Sequence, residues 1–321
     1  MISDPVLLDD WHVVAYAPDL KGGAPVPARL LGEDIVLWRV GDRVHAWRDL
    51  CVHRGTRLSL GRVEGERLVC AYHGWTYDET GQCVHFPAHP GQTPPAKARA
   101  QVYRTQVRYG WVWVALGTPA RDVPVFPEWD EPTFRKVHCG PYPFKASGPR
   151  AIENFLDVTH FPFVHVGLLG DPQYPEINDY EVEIGEEGLT AKDITVWQPD
   201  PDSGGAGAWV TYTYKVFRPL TAYFVKSSAG PRFAMYFTVT PVEEDKSVAW
   251  TYVAMDYGDQ SDEQIRAFED TITWQDIPVV ESQRPELLPL DLQAELHLRS
   301  DRTAVVYRRW LRQLGLTFGT S

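Results

Sequence analysis

Short apolar runs alternate with polar turns along the first third of the chain, the runs lying at Trp11–Tyr16, Ile35–Val40, Val44–Arg48 and Val112–Leu116. Each run is rich in β-branched and aromatic residues and is bounded by Gly or Asp, the pattern of short strands joined by turns. A small antiparallel β domain is expected there. The segment from Gly117 to Pro132 (GTPARDVPVFPEWDEP) is dense in proline and reads as a connector. It divides the chain into an expected first domain over residues 1–125 and a second over 126–321.

In the second part, the residues near Pro149–Gly167 read as a helix. Strand-like runs follow at Glu181–Ile184, Leu189–Trp197, Ala208–Phe217, Leu220–Ser227, Arg232–Pro241 and Val248–Met255. The charged, periodic stretch Ser261–Glu281 predicts a long helix with Ser261 as its N-cap, acidic residues in its first turn and a kink at Pro278. Arg302–Leu314 predicts a further helix. An antiparallel sheet wrapped around a long helix would enclose a cavity between them, and the expected architecture is α+β.

Composition narrows the function. Hydrophobic residues make up 44% of the 321 positions and charged residues 23%, ordinary for a globular protein. A net charge of −12 argues against a nucleic-acid partner, because little here would neutralise phosphates. The N-terminal MISDPVLLDDWHVVAY has neither a basic start nor a sustained apolar core, so no signal peptide is expected. No stretch approaches the roughly 18 apolar residues of a membrane span. With only four cysteines, metal ligation is expected rather than a disulfide framework, in a reducing cytoplasm.

Two of those cysteines sit beside histidines. Cys51-Val-His53 is followed, with sixteen residues between, by Cys70-Ala-Tyr-His73, and Gly55 and Gly74 lend each segment the backbone freedom of a tight loop. Two Cys on one iron and two His on the other is the ligand set of a Rieske [2Fe–2S] cluster. A structural Cys₂His₂ zinc site is the alternative, but zinc frameworks pair Cys with Cys and His with His, whereas each pair here is mixed. The segment CVHRG…CAYHGWTYDETGQCVHFPA resembles the Rieske domain of the ring-hydroxylating and demethylating oxygenases, over about residues 8–118. Cys83 and Cys139 lack such partners and read as buried small hydrophobes. His12, His45, His85, His89, His138 and His297 read as structural.

A second constellation follows in Glu153–His165. His160 and His165 lie five residues apart, about 500° of helical rotation, so on an undistorted helix their rings diverge by roughly 140°. Pro162 between them disturbs the helix, and a broken helix would let both imidazoles reach one metal. Two imidazoles and a carboxylate form the facial triad that binds Fe(II) and activates O₂. The spacing Asn154-x₂-Asp157-x₂-His160-x₄-His165 resembles the catalytic segment of Rieske oxygenases, with the short Asn-to-Asp interval of the single-subunit monooxygenases and O-demethylases. In Thr271–Gln283, the pattern Asp276-x₄-Glu281-x-Gln283 resembles the family's C-terminal ligand region, which implies Asp276 as the third ligand. Glu281 then reads as a supporting or structural residue, and Glu269, Asp270 and Glu286 are weaker alternatives for the ligand.

The resemblance implies an oxygenase component with an N-terminal all-β Rieske domain. A helix-grip catalytic domain would follow, with an antiparallel sheet and a long C-terminal helix. It further implies one [2Fe–2S] cluster and one mononuclear Fe(II) per chain, and a homotrimer in which the cluster of one subunit serves the iron of its neighbour. Asp157 resembles the acid linking a cluster His to an iron His across that interface. No G-x-G-x-x-G follows a strand, so electrons must come from an NAD(P)H-dependent reductase, with or without a ferredoxin. The expected reaction is O₂-dependent hydroxylation or oxidative demethylation of an aromatic or carbocyclic substrate. The alternatives are cis-dihydroxylation and, from a different class, a Rieske electron carrier.

Overall fold

The computed structural model describes residues 4–227 and 232–321; residues 1–3 of the N-terminal segment read above lie outside the described residues. The chain divides into two compact units, Met1–Val123 and Pro124–Ser321.

In the first unit, a short helix α1 (Pro5–Leu8) precedes the strands β1 (His12–Tyr16), β2 (Val26–Leu30), β3 (Glu33–Val40) and β4 (Arg43–Arg48). Four short strands follow: β5 (Arg62–Glu64), β6 (Arg67–Val69), β7 (Thr76–Tyr77) and β8 (Cys83–His85). The unit closes with β9 (Val102–Arg108) and β10 (Trp111–Ala115). The long strands pair in the order β1-β10-β9-β4-β3-β2, and β5-β6-β7-β8 form a separate small sheet. Trp38, Trp47 and Tyr77 are buried together with Leu58, Leu68, Cys51 and Cys70. Trp38 and Trp47 meet edge to face at 5.0 Å, a geometry that adds about 0.5–1.5 kcal/mol to the burial of the rings. The core of this unit is therefore the floor beneath both cysteines.

The second unit opens with β11 (Arg135–Phe144), then α2 (Gly148–Leu156) and the one-turn helix α3 (Phe161–Val164). The strands β12 (Glu181–Gly185), β13 (Gly188–Gln198), β14 (Ala208–Arg218), β15 (Thr221–Ser227), β16 (Arg232–Glu243) and β17 (Lys246–Met255) follow. The long helix α4 (Asp262–Ser282) and α5 (Arg302–Leu314) end the unit. All seven strands form one antiparallel sheet in the order β11-β17-β16-β15-β14-β13-β12. The architecture is α+β, a unit of short antiparallel strands followed by a seven-stranded antiparallel sheet with few helices.

Most elements follow the hydrophobic pattern, and α4 starts as its sequence predicts. Ser261 Oγ accepts from the Gln264 amide while Gln264 Oε1 accepts from the Ser261 amide, a reciprocal capping box. Pro278 lies inside this helix and does not end it.

In the second unit one strand has no counterpart among the expected elements, and one expected helix differs. Strand β11 carries no alternation that survives Gly140, Pro141 and Pro143, yet it pairs with β17 across a bulge between Cys139 and Tyr142. It is an edge strand, where a proline costs no ladder bond on its open side. The continuous helix expected near Pro149–Gly167 is in fact two helices. The first, α2, stops at Leu156, because Asp157 is extended (φ −89°, ψ 124°) and the Asp157 amide donates back to the Asn154 carbonyl. Pro162 does not cause this break; it occupies the first turn of α3, where a missing amide hydrogen leaves no bond unmade.

Candidate metal centres and the catalytic cavity

The two Cys/His loops of the first unit are built alike. The Cys51 amide donates to the Thr56 carbonyl and the Gly55 amide to the Cys51 carbonyl. Likewise the Cys70 amide donates to the Trp75 carbonyl and the Gly74 amide to the Cys70 carbonyl. Each closure needs a left-handed residue four positions after the cysteine, and Gly55 (φ 73°) and Gly74 (φ 66°) supply it without a side-chain clash. The cysteines point into the core, at 2% and 1% exposure, while His73 is exposed and His53 half-buried.

The imidazoles of His53 and His73 stand 4.5 Å apart, centre to centre, and His53 stacks flat on Trp75. Cys51 Sγ lies 3.1 Å from the Tyr77 hydroxyl. Burial pushes the Cys51 thiol up, and the contacts acting on it include Cys70, so the two sulfurs face each other. His53 Nδ1 is buried with no hydrogen-bond partner among the described residues. The donors thus converge as a sulfur pair and a nitrogen pair. A single tetrahedral zinc ion would need all four donor atoms within about 4 Å of one another. Among the described residues, the group of His, Cys, Asp or Glu meeting such a criterion is His160, His165 and Asp276, not these four. The donor set fits a two-iron cluster better than one metal ion.

In the second unit, α3 carries His160 and His165 at its two ends. The Val164 amide donates to the His160 carbonyl at 2.8 Å and the His165 amide to the Phe161 carbonyl at 3.1 Å. The turn ends at His165, whose backbone leaves the helix (φ −113°, ψ 43°), and the two rings come to the same side, which an unbroken helix would prevent. His160 Nε2 and His165 Nε2 are 3.2 Å apart, and Asp276 Oδ1, from α4, lies 3.4 Å and 3.1 Å from them. His165 is fully buried, whereas His160 and Asp276 keep 14% of their side chains exposed. Three lone-pair donors facing one point, with an open side, match a 2-His-1-carboxylate site.

The surrounding contacts orient these donors. His165 Nδ1 meets Gln275 Oε1 at 2.7 Å. An amide oxygen accepts only, so His165 carries its proton on Nδ1 and turns a free lone pair on Nε2 toward Asp276. Burial opposes protonation of His165, but the Asp276 carboxylate and Gln275 outweigh it and raise its pKa above the ordinary imidazole value. Such an excess of negative potential suits a cation. Asp157 Oδ1 accepts from the Thr159 amide at 2.7 Å and the Thr159 hydroxyl at 2.5 Å. That leaves Oδ2 turned to His160 Nδ1, at 3.4 Å. Burial raises the Asp157 carboxyl, yet the nearby His160 imidazole and the bonds from Thr159 hold it below the usual carboxylate range. Asp157 thus reaches His160 through a turn, not from a shared helix face as its i,i+3 spacing suggests. Asn154 Nδ2 stands 3.5 Å from Asp276 Oδ1, a long contact.

The other acids are placed elsewhere. Glu281 accepts from the Lys145 amide at 2.8 Å, Asp270 from the Tyr142 hydroxyl at 2.7 Å, and Glu286 pairs with Arg284. Glu269 does not join the three-donor group. Cys83 and Cys139 are buried and free, as small hydrophobes.

Beside the donor group is a cavity of about 450 Å³, within the usual range for small-molecule sites. Its aromatic wall is a stack: Phe155 lies parallel to Phe237 at 4.4 Å and beside Phe224 at 5.4 Å. Gln198, Lys226 and Glu269 belong to its polar part. Gln198 and Lys226 carry no motif signal, Glu269 stands in the sequence only as a weaker alternative for the ligand, and Gln275 is hinted at only by its place next to Asp276. The position of α2 is held by a buried ion network. Arg308 of α5 donates to both carboxylate oxygens of Glu153, at 2.6 and 2.5 Å, and Arg308 and Arg150 share Glu295.

Comparison with known proteins agrees with both halves. Residues 10–104 match the Rieske [2Fe-2S] domain family, and residues 144–317 the vanillate O-demethylase oxygenase C-terminal domain family. The chain is 32% identical over 316 residues to methylxanthine N1-demethylase NdmA of Pseudomonas putida, covering 95% of this chain and 88% of that protein. Methylxanthine N3-demethylase NdmB of Pseudomonas putida is 29% identical, with 96% and 89% covered. The solved structure of Pseudomonas putida CBB5 NdmA with caffeine superposes with a TM-score of 0.84 at 31% identity, over 96% of this chain and 90% of that one. The chain belongs to the Rieske non-heme iron oxygenases: it is a monooxygenase-type oxygenase component that holds a [2Fe–2S] cluster and a mononuclear iron.

Proposed function

We propose that the chain oxidatively demethylates a flat, N- or O-methylated aromatic or heteroaromatic compound, with its iron at His160, His165 and Asp276. Cys51, His53, Cys70 and His73 hold the cluster in this reading. The observation that carries it is three converging donors at the wall of an apolar, aromatic-lined cavity. The relatives named above are methylxanthine demethylases, and the short Asn154–Asp157 spacing points the same way.

Bound iron in such a site supplies O₂ activation next to the substrate, drawing electrons through the cluster. The residues do the remainder. The parallel faces of Phe155 and Phe237 favour a planar ring, and the apolar wall keeps water from the reacting methyl group. Gln275 and Asp157 fix the orientation of the two imidazoles. Overall, a methyl on nitrogen or oxygen, O₂, two electrons and two protons give the demethylated compound, formaldehyde and water. Those electrons come from a separate NAD(P)H-dependent reductase, with or without a ferredoxin. Asp157 is the coupling residue between the cluster and the iron of adjacent subunits in a homotrimer. We place the protein in the cytoplasm; among the described residues no helix is long and apolar enough to cross a membrane.

Turnover with O₂, a reductase and a panel of methoxyarenes and N-methylated heterocycles tests the reading. Formaldehyde equal to the demethylated product is expected. A cis-diol as the main product would overturn it in favour of dihydroxylation.

A further inference from the structure

Glu269 is a buried acid that neither metal centre uses. It is 6% exposed, it faces the cavity, and it makes no hydrogen bond or ion pair within the described residues. An isolated carboxyl at such a place costs free energy unless something completes its hydrogen bonding. Polar side chains such as Gln264 and Thr273 line the same cavity but do not bond to Glu269, so the missing partner comes from the cavity side.

Lys226 lines the same cavity on β15. Its ammonium donates to the Pro201 carbonyl at 2.7 Å and to Gln198 Oε1 at 3.3 Å. An ammonium has three donors; beyond these two bonds this one has only the Phe233 ring, 4.9 Å from the nitrogen, and no third oxygen acceptor among the described residues. Gln198 is itself held by donating to the Tyr212 hydroxyl at 2.9 Å, which fixes where Lys226 stands. Although Lys226 is near enough to act electrostatically on Glu269, the two make no direct ion pair. A ligand group fits the gap in the pairing.

The position along α4 sets a length. Glu269 precedes Asp276 by seven residues, two turns of the same helix, so both lie on nearly one face, separated by about 10.5 Å of axial rise. A planar molecule that reaches Glu269 with one edge therefore presents its other end toward the donor group.

We infer that Glu269 and Lys226 are the specificity pair of this cavity, reading the amide edge of a neutral heteroaromatic ring, its N–H against Glu269 and its neighbouring carbonyl against Lys226. The inference rests on the demethylation reading for its substrate class and deepens it. An aromatic acid is disfavoured, because its carboxylate would meet Glu269 along with Lys226. A fully N-methylated ring has no N–H to satisfy Glu269, and sites built around a buried polar group reject ligands that leave it unpaired.

Calorimetric titration of the ferrous, cluster-loaded protein without O₂ tests this with three probes: theobromine, caffeine and 4-methoxybenzoate. The wild type is expected to bind theobromine at least about tenfold more tightly than caffeine, with 4-methoxybenzoate weakest. In Glu269→Leu, theobromine is expected to lose at least about tenfold while caffeine shifts by less than about threefold. Glu269→Gln keeps a carbonyl acceptor, so theobromine stays within about threefold of wild type, while 4-methoxybenzoate improves by about tenfold. Equal losses for all probes in Glu269→Leu would mean a structural role and overturn the inference. Preference of the wild type for the acid, or binding of none of the probes at millimolar concentration, would also overturn it. Formaldehyde assays keep the two readings apart. The expected ranking without formaldehyde from the methylated probes defeats demethylation alone. Formaldehyde with the ranking reversed defeats the recognition pair alone.

Discussion

Gln275 Oε1 and His165 Nδ1 are 2.7 Å apart, across 110 residues of sequence. The neighbour of Gln275 on α4, Asp276, faces the opposite nitrogen of the same ring at 3.1 Å. Consecutive residues of one helix turn thus address both edges of His165. One sets the tautomer and the other shares the metal position.

This arrangement makes Gln275 a positioning residue. Gln275→Leu keeps the side-chain bulk and deletes the acceptor, so His165 loses its reason to keep Nε2 unprotonated. Affinity for Fe(II) is expected to fall by about 10–100-fold, with cluster absorbance unchanged. Equilibrium dialysis against Fe(II) measures it, and unchanged affinity would show that the contact is incidental.

Asp276→Ala should lose the mononuclear iron and retain the cluster, since no second carboxylate enters the donor group. Glu281→Ala removes only the acceptor for the Lys145 amide and should keep both metals. Iron counting on the two variants decides the carboxylate. Three irons per chain in Asp276→Ala, with two in Glu281→Ala, would reverse the assignment.

Asp157→Asn retains the size of the side chain and removes its charge. Both metal centres should assemble, while reoxidation of the reduced cluster by O₂ and substrate slows by at least about tenfold. Stopped-flow absorbance of the cluster is the measurement. A wild-type single-turnover rate would rule out the coupling role.

The two-ended grip of Arg308 on Glu153 lies in a buried setting, with the arginine side chain 2% exposed. Arg308→Met should destabilise the second unit by about 3–5 kcal/mol, because Glu153 and Glu295 are left with fewer partners. Adding Glu153→Gln and Glu295→Gln should recover much of the loss. Chemical denaturation read in the second unit tests this; additive losses in the triple variant would contradict it.

Burial pushes the Glu269 carboxyl up to about 7, an effect that Lys226 opposes and Asp270 reinforces. A folded-state value above the unfolded one means this group stabilises the fold below about pH 4.5, and that contribution is lost as pH rises through 7. Glu269→Gln does not titrate. Its stability relative to wild type should therefore grow between pH 5 and pH 8, by at most about 3 kcal/mol. Thermal midpoints of both proteins across that range provide the check, and a constant difference would refute it.

Much of this protein is written locally. The two cysteine loops close through hydrogen bonds within six residues, with Gly55 and Gly74 at the left-handed positions, so a short segment of sequence carries the whole loop. The Ser261–Gln264 capping box starts α4 in the same local way, and β14 alternates buried and half-exposed residues along its length. The broken helix is different. The sequence places Pro162 between His160 and His165 and suggests a break there, but the turn is made at Asp157, where Thr159 competes for the carboxylate and the backbone leaves the helix. Strand β11 escapes the hydrophobic pattern because Gly140, Pro141 and Pro143 obscure it, and only pairing with β17 more than a hundred residues on makes it a strand. The contact of Gln275 with His165, the Arg308–Glu153 pair and the meeting of Glu269 and Lys226 in one cavity were decided by the tertiary structure alone. Each joins side chains from separate elements, and local propensity and periodicity hold no record of which distant residue will satisfy a buried polar group.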